Sequence, residues 1–282
     1  MKRKIEFSSV VAETLLIPLY MRAKESKRGE NAILKDGYAE KLISEIDYDY
    51  SKFAGASLSA NGCIIRGWYF DNAVRRFIDS HEHPVVVNVG CGLDTRAQRI
   101  GSTKAVFYEL DLPEVIELRR QFIPETGNDR YLAESLVEKG WVEQLRRSHP
   151  DGRFIFVVEG VLMFLREEEV KGFVKTIADN FAGGELWFDL CGTMFMKKNL
   201  KPDSLNSSEA QIRFGLNDAK AVESWTPGVE LMEQEVYMHF FRRRWGFFLG
   251  QILGRSARLC RKFSSLAGFR LTGAEAPERH NQ

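Results

Sequence analysis

Short apolar runs alternate with longer amphipathic stretches from Pro84 to Asp189. The apolar runs are rich in β-branched and aromatic residues and are too short for helices, so they predict strands. They cover residues 85–89, 105–108, 130–132, 154–158 and 185–188. Helical patterns lie between them, at residues 114–122, 137–147 and 167–181. This alternation predicts an α/β fold with a mostly parallel, doubly wound sheet.

Before Pro84 the pattern is helical. Apolar residues recur at helical spacing through residues 8–80, with loops predicted at 26–30 and 53–62, where polar or small residues cluster. We therefore expect a helical N-terminal segment over residues 1–80 that covers the site, and a ligand-binding domain over residues 81–282.

After Asp189 the alternation is lost. The patterns predict a helical cap insertion at about 190–224, a return to strand at 228–237 and a helix at 240–263. A last strand is predicted at 269–272, and the polar residues from Ala274 onward are expected to fray.

Composition excludes several classes of protein. Hydrophobic residues make up 44% and charged residues 28%, as in ordinary globular chains. The net charge is only +1, from 40 basic and 39 acidic residues, which argues against a strongly basic nucleic-acid-binding protein. The four cysteines lie far apart, which predicts neither a disulfide scaffold nor a metal site and favours the reducing cytoplasm. No apolar run is long enough to predict a membrane-spanning helix.

The first predicted strand ends in a loop with two glycines, Gly90 and Gly92. They allow a tight turn and a close approach of the backbone to a ligand, although a plain strand–helix turn would also use them. A dinucleotide fingerprint would place a third glycine where Thr95 stands. The loop therefore favours a nucleoside ligand without a pyrophosphate.

Two carboxylates, Glu109 and Asp111, end the second predicted strand about 20 residues after these glycines. A carboxylate at this position can accept both hydrogen bonds of a ribose diol. The alternative is that one of them caps the helix beginning near Pro113. The sequence predicts one ribose ligand and one structural acid, without deciding which is which.

Two further charged residues stand in apolar surroundings. Glu159 directly follows the apolar run 154–158, where an ionised group is costly to bury unless it is paired. Arg66 is flanked by Ile65 and by Trp68, and could pair with a core carboxylate or bind the carboxylate of a ligand. Both are candidate site residues.

Taken together, these segments resemble the leucine carboxyl methyltransferase family, and especially its bacterial tetracenomycin-type polyketide O-methyltransferase branch. The similarity runs from about residue 10 to residue 235 in family order. The matching segments are residues 14–18, 22–23, 66–67, 88–96, 108–115, Trp141 and 159–165.

The resemblance implies a Rossmann-like class I methyltransferase fold that binds S-adenosylmethionine (SAM). In the family's arrangement Arg66 would hold the methionine carboxylate, and Gly90, in the loop with Gly92, would line the methionine portion. Asp111 would bind the ribose with Glu109 beside it.

Other family positions match less directly. Glu159 would contact the methionine amino group or its surroundings. A basic residue near the N-terminus also reaches the cofactor carboxylate, and Arg22 or Lys24 could match it. The adenine contact falls on Glu134 or Ser135.

The methyl acceptor is not identified by these motifs. A carboxylate is already ionised and needs no general base, whereas a hydroxyl gains from one. Of the five histidines only His239 could approach the site, and an exposed or core histidine is the more ordinary interpretation.

The function predicted is therefore SAM-dependent O-methylation of a carboxylate or hydroxyl on a small molecule such as a polyketide. The alternatives are a non-catalytic SAM-binding protein, a protein or peptide carboxyl methyltransferase and, from another class, a nicotinamide dehydrogenase. Residues 240–263 concentrate basic residues, and represent either a solvated face or a docking surface for an acidic carrier protein or an anionic membrane.

Overall fold

The computed structural model describes residues 2–5, 13–197, 200–206 and 208–273. Its N-terminal part contains three helices, α1 (Leu16–Ser26), α2 (Gly37–Glu45) and α3 (Ser57–Ser80). Two short strands, β1 (Arg3–Lys4) and β2 (Ile46–Asp47), pair in parallel. The predicted helical character is confirmed for the described residues, while residues 8–12 lie outside them.

Helix α3 begins earlier than predicted, so the loop expected at 53–62 is wrong in its second half. The Asp203 carboxylate accepts hydrogen bonds from the backbone N–H groups of Leu58 and Ser59, both at 2.9 Å. These N–H groups have no partner within their own helix. A residue distant in sequence thus supplies the cap, which local patterns do not reveal.

The main sheet contains seven strands within the described ranges, in the order β5-β4-β3-β6-β7-β9-β8. The strands are β3 (Pro84–Val89), β4 (Val106–Asp111), β5 (Asp129–Ala133), β6 (Arg153–Val158), β7 (Glu185–Cys191), β8 (Val229–Glu235) and β9 (Ser264–Leu271). The first five are parallel to one another, and β9 runs antiparallel to both β7 and β8. The predicted α/β fold with a mostly parallel sheet is confirmed.

Helices follow the parallel strands and cover both faces of the sheet. They are α4 (Arg96–Ile100), α5 (Pro113–Phe122), α6 (Gly140–Ser148) and α7 (Glu167–Asn180). Side chains alternate between the faces of a strand. Val85, Val87 and Val89 accordingly pack with residues of α6 and α7. Val86 packs with residues of α3 and α4 on the other face.

The prediction of one helix at residues 240–263 is wrong. The structure has a 3-10 turn (Arg242–Trp245), a π-helical turn (Phe247–Ile252), a second 3-10 turn (Leu253–Arg255) and the short helix α8 (Ala257–Cys260). Glycines recur through this stretch, and glycine weakens a helix. Gly246 adopts a φ of 73°, which breaks the helical path.

The remaining C-terminal elements differ from prediction in extent. Strand β9 begins five residues before the strand expected at 269–272. The described part of residues 190–224 contains three 3-10 helices, Thr193–Met196, Asp203–Leu205 and Ala219–Ser224. The tail from Ala274 lies outside the described residues, and among the described helices none is long and apolar enough to cross a membrane.

Candidate functional site

A cavity of about 240 Å³ lies beyond the carboxyl ends of β3, β4 and β6. This is the edge where ligands bind in open, doubly wound sheets. Seven of the eight residues predicted to bind the cofactor line it: Arg22, Arg66, Gly90, Gly92, Asp111, Ser135 and Glu159. Glu109 does not line it. The structure thus gathers residues from distant parts of the chain around one space.

The loop after β3 depends on its two glycines. Gly90 has a φ of 66° and Gly92 a φ of 50°, in the left-handed region that favours glycine. A Cβ on Gly90 would lie 2.3 Å from the Val161 Cγ2 atom. The backbone N–H of Gly90 donates to the Leu110 carbonyl at 2.8 Å. This loop is therefore held against both β4 and the loop after β6.

The two acids of β4 have different environments. The two oxygens of Asp111 accept the backbone N–H groups of Gly92 (2.7 Å) and Leu112 (2.8 Å), and burial raises the pKa of Asp111 to about 6. Glu109 is fully buried, and burial raises its pKa to about 7. It accepts a hydrogen bond from Asn88 at 2.8 Å. Of these two acids, Asp111 lines the cavity and Glu109 does not.

Arg66 lies between two carboxylates. Its Nε donates to Glu159 at 3.0 Å and its Nη1 donates to Asp189 at 2.9 Å. The other oxygen of Asp189 accepts the backbone N–H of Gly160 at 2.6 Å. Arg66 thus both pairs with protein carboxylates and lines the cavity. Asp189 was not singled out from the sequence, although it ends an apolar strand just as Glu159 follows one.

Arg96 is a second residue that the sequence reasoning did not single out. It is 1% exposed and donates to Asp71 at 2.8 Å, to Asn88 at 2.8 Å and to Glu159 at 2.5 Å. Glu159 is therefore held by two guanidinium groups, one from α3 and one from α4. Such charge-assisted hydrogen bonds fix the carboxylate in position.

Arg22 connects α1 to the loop after β3 that contains Gly90 and Gly92, called the glycine loop below. Its Nε donates to Asp36 at 2.9 Å and its Nη2 donates to the Leu93 carbonyl at 3.1 Å. Asp36 also accepts the Thr95 hydroxyl at 2.6 Å. Of the two basic candidates in this region, Arg22 is buried at the cavity wall and Lys24 is exposed.

The two candidates after β5 also separate. Ser135 lines the cavity, whereas the Glu134 carboxylate accepts the Gly140 backbone N–H at 2.7 Å and so caps α6. His239 lies elsewhere, in a surface depression, with its Nδ1 2.9 Å from Glu235. No group of three or more potential metal-binding side chains is found among the described residues.

Comparison with known proteins identifies the family. A family model described as leucine carboxyl methyltransferase matches residues 16–178, more than half of the chain. The tetracenomycin polyketide synthesis O-methyltransferase TcmP of Streptomyces glaucescens is 29% identical over 225 residues, which cover 79% of this chain and 82% of that protein. The S-adenosyl-L-methionine-dependent methyltransferase dpfgK of Gibberella zeae is 26% identical over 264 residues, covering 86% and 88%.

Among solved structures, a DUF574-family protein from Streptomyces avermitilis matches with a TM-score of 0.56. The match covers 93% of this chain and 99% of that chain at 13% identity, a level that supports the fold alone. The family model carries the assignment further. This chain belongs to the leucine carboxyl methyltransferase family, as its sequence motifs predicted, and is a SAM-dependent methyltransferase.

Proposed function

We propose that this enzyme is an O-methyltransferase that acts on a carboxylate or hydroxyl of a small, polyketide-like molecule. The observation that carries the proposal is the composition of the cavity wall. Charged and glycine residues from the strand ends form one part of it, and apolar residues such as Leu15, Pro18 and Phe164 form another. A polar cofactor and an apolar acceptor could each find complementary surface there.

The residues present fit SAM, which supplies an electrophilic methyl group on a sulfonium when it is bound. At Gly90 and Gly92 the backbone can approach a ligand with no Cβ in the way. Asp111 would accept the ribose hydroxyls through the lone pairs that its two backbone hydrogen bonds leave free.

The amino-acid end of the cofactor would meet the charged groups. Arg66 and Arg22 would hold its carboxylate, and Glu159 would accept hydrogen bonds from its ammonium group. Ser135 would contact the adenine. Glu109 would stabilise the glycine loop through its contacts with Asn88 and Arg119.

We also propose that the N-terminal segment 1–80 covers the reaction space. Leu15, Pro18 and Arg22 of this segment line the cavity, so it can exclude water and orient the acceptor. Correct orientation is the main contribution a protein makes to such a displacement, and can supply about 7–11 kcal/mol of the barrier.

Oxygen as the acceptor atom is supported by the likeness to TcmP, which is named as a polyketide O-methyltransferase. To test it, the purified enzyme and isotope-labelled SAM are added to a small-molecule extract, and labelled products are identified by mass spectrometry. A methyl ester releases its label in mild alkali and a methyl ether does not, so the product also identifies a carboxylate or hydroxyl acceptor.

Two variants serve as controls. Asp111→Asn should lose transfer because it alters the cavity, whereas His239→Asn should retain it because His239 lies outside the cavity. Label found only on proteins or peptides would overturn the small-molecule proposal, and label on nitrogen or carbon would overturn oxygen as the acceptor atom.

A further inference from the structure

The arginine segment, residues 240–263, contains seven basic residues and no acidic residue, although the net charge of the whole chain is only +1. Within the described parts of the chain Arg244 pairs with Glu25 at 2.6 Å, whereas the exposed basic side chains form no ion pair. The exposed ones are Arg242, Arg243, Arg255, Arg258 and Lys262. The segment therefore presents concentrated positive charge, and five of its seven basic side chains are exposed without an ion pair to the described residues.

The same segment exposes large apolar side chains. Phe247 is 77% exposed, Phe248 is 66% exposed and Ile252 is 51% exposed. All three belong to one π-helical turn, in which hydrogen bonds link residues five apart. Residue 252 therefore comes back to the side of the turn that carries residues 247 and 248. Adjacent exposed apolar side chains of this kind mark an interaction surface.

The backbone that carries these side chains is closely packed. A Cβ on Gly250 would lie 2.1 Å from the Arg242 carbonyl oxygen, so the π-helical turn packs directly on the preceding 3-10 turn. The Trp245 side chain is buried and its Nε1 donates to the Phe240 carbonyl at 3.2 Å. Asn61 of α3 donates to the Arg244 carbonyl at 2.9 Å. These contacts hold the exposed arginines and the phenyl rings together in one ordered segment.

We propose that the arginine segment docks the enzyme on an anionic lipid surface. Lipid phosphate and carboxylate groups would pair with the exposed guanidinium groups, and the phenyl rings would enter the boundary between headgroups and acyl chains. An acidic carrier protein would neutralise the arginines equally well. Phe247 and Phe248, however, would then require a matching apolar groove, whereas a bilayer receives them without one. Charge and exposed apolar area together favour the bilayer.

The test is co-sedimentation of the full chain with vesicles of phosphatidylcholine, with and without about one-third phosphatidylserine. We expect binding to the anionic vesicles only, and its loss in high salt, because the Debye length falls from about 10 Å at 0.1 M to about 3 Å at 1 M. One basic residue at such a surface contributes about fivefold to binding. Replacing Arg242, Arg243, Arg255 and Arg258 by glutamine should therefore lower binding at least tenfold.

A second variant, Phe247→Ser with Phe248→Ser, tests the apolar contribution and should also lower binding at least tenfold. The matched controls are Arg146→Gln with Arg147→Gln, exposed arginines of α6, and Tyr38→Ser, an aromatic residue 49% exposed on α2. These should bind as the parent does. Binding of S-adenosylhomocysteine, followed by calorimetry, should be unchanged in every variant and shows that each is folded.

Absence of sedimentation with anionic vesicles would overturn the proposal, as would equal binding to both kinds of vesicle. A parent chain that binds a purified acidic acyl carrier protein but not the vesicles would overturn the bilayer in favour of a protein partner. Because no arm of this experiment depends on the methyl acceptor, its failure would leave the proposed function untouched.

Discussion

Arginines perform opposite tasks in two regions of this molecule. At the cavity and directly behind it their side chains are at most 10% exposed, and each lies beside at least one carboxylate; they are Arg22, Arg66, Arg96, Arg99 and Arg119. In the arginine segment most are exposed, and among the described residues only Arg244 forms an ion pair. Burial, rather than residue type, therefore decides whether a guanidinium group belongs to the framework or is free to contact a partner.

The largest effect is expected at the most connected buried arginine. Arg96→Ala removes one of the two guanidinium partners of both Asp71 and Glu159, and breaking a buried ion pair costs about 3–5 kcal/mol. Denaturant unfolding should show a loss of this size in the free energy of unfolding. A loss below about 1 kcal/mol would mean that the buried network does not hold the framework together.

A substitution at Arg66 tests whether a buried, paired arginine also binds a ligand. Arg66→Ala should weaken binding of S-adenosylhomocysteine by about 2–5 kcal/mol, the usual cost of truncating one member of a buried charge pair. Stability should fall too, because Asp189 and Glu159 both lose a partner. Calorimetry at a temperature where the variant is folded separates the two effects. Unchanged affinity would assign Arg66 to the framework alone.

Asp111 and Glu109 extend the comparison to the acids. Asp111→Asn should weaken S-adenosylhomocysteine binding by about 1.5–3 kcal/mol, the range for a hydrogen bond to a charged group. Glu109→Gln is the matched control, since Glu109 lies on the same strand but does not line the cavity, and it should affect binding less. The reverse ranking by calorimetry would transfer the ribose contact to Glu109.

The raised pKa of Asp111, about 6, gives this prediction a pH dependence. If the ionised carboxylate accepts the ribose hydroxyls, affinity should fall as the pH drops through about 6, and Asp111→Asn should abolish this dependence. For stability the sign is opposite. The folded pKa lies above the ordinary aspartate pKa of about 4, so the folded chain holds the proton more tightly. This group's contribution to the unfolding free energy therefore falls as the pH rises from about 4 to 6.

The smallest effect is expected in the arginine segment. Arg255→Ala and Arg258→Ala remove exposed side chains that form no ion pair within the described residues. Each should change the free energy of unfolding by less than about 0.5 kcal/mol, measured as for Arg96→Ala. A loss comparable to that of Arg96→Ala would show that these side chains belong to the framework as well.

The central sheet could be predicted because its parallel strands are buried on both faces and read as continuous apolar runs. All six residues of β3 are buried. The C-terminal part could not be predicted in the same way. Its basic and apolar residues occur at spacings that suit a helix, yet Gly246 turns the chain with a φ of 73°. Gly250 packs closely on the Arg242 carbonyl, a contact that appears only after folding.

The site residues likewise divide into those that the sequence predicts and those that depend on contacts made in the folded chain. Glycines and acids at predicted strand ends could be located because parallel strands bring their carboxyl ends to one edge of the sheet. The partners of Arg66 could not be named, since pairing with Asp189 depends on β7 lying next to β6. The role of Arg96 likewise depends on α4, a short helix that the apolar pattern did not reveal.

The position of β9 has a consequence for how the chain is made. This strand follows the others in sequence but lies between β7 and β8, so neither has its final neighbour until residues 264–271 have been synthesised. At about 5–20 residues per second, the nascent chain exposes an open sheet edge for seconds after β7 emerges. A chain that ended before β9 would leave the edge of β7 unpaired, and this edge could pair with a strand of another chain.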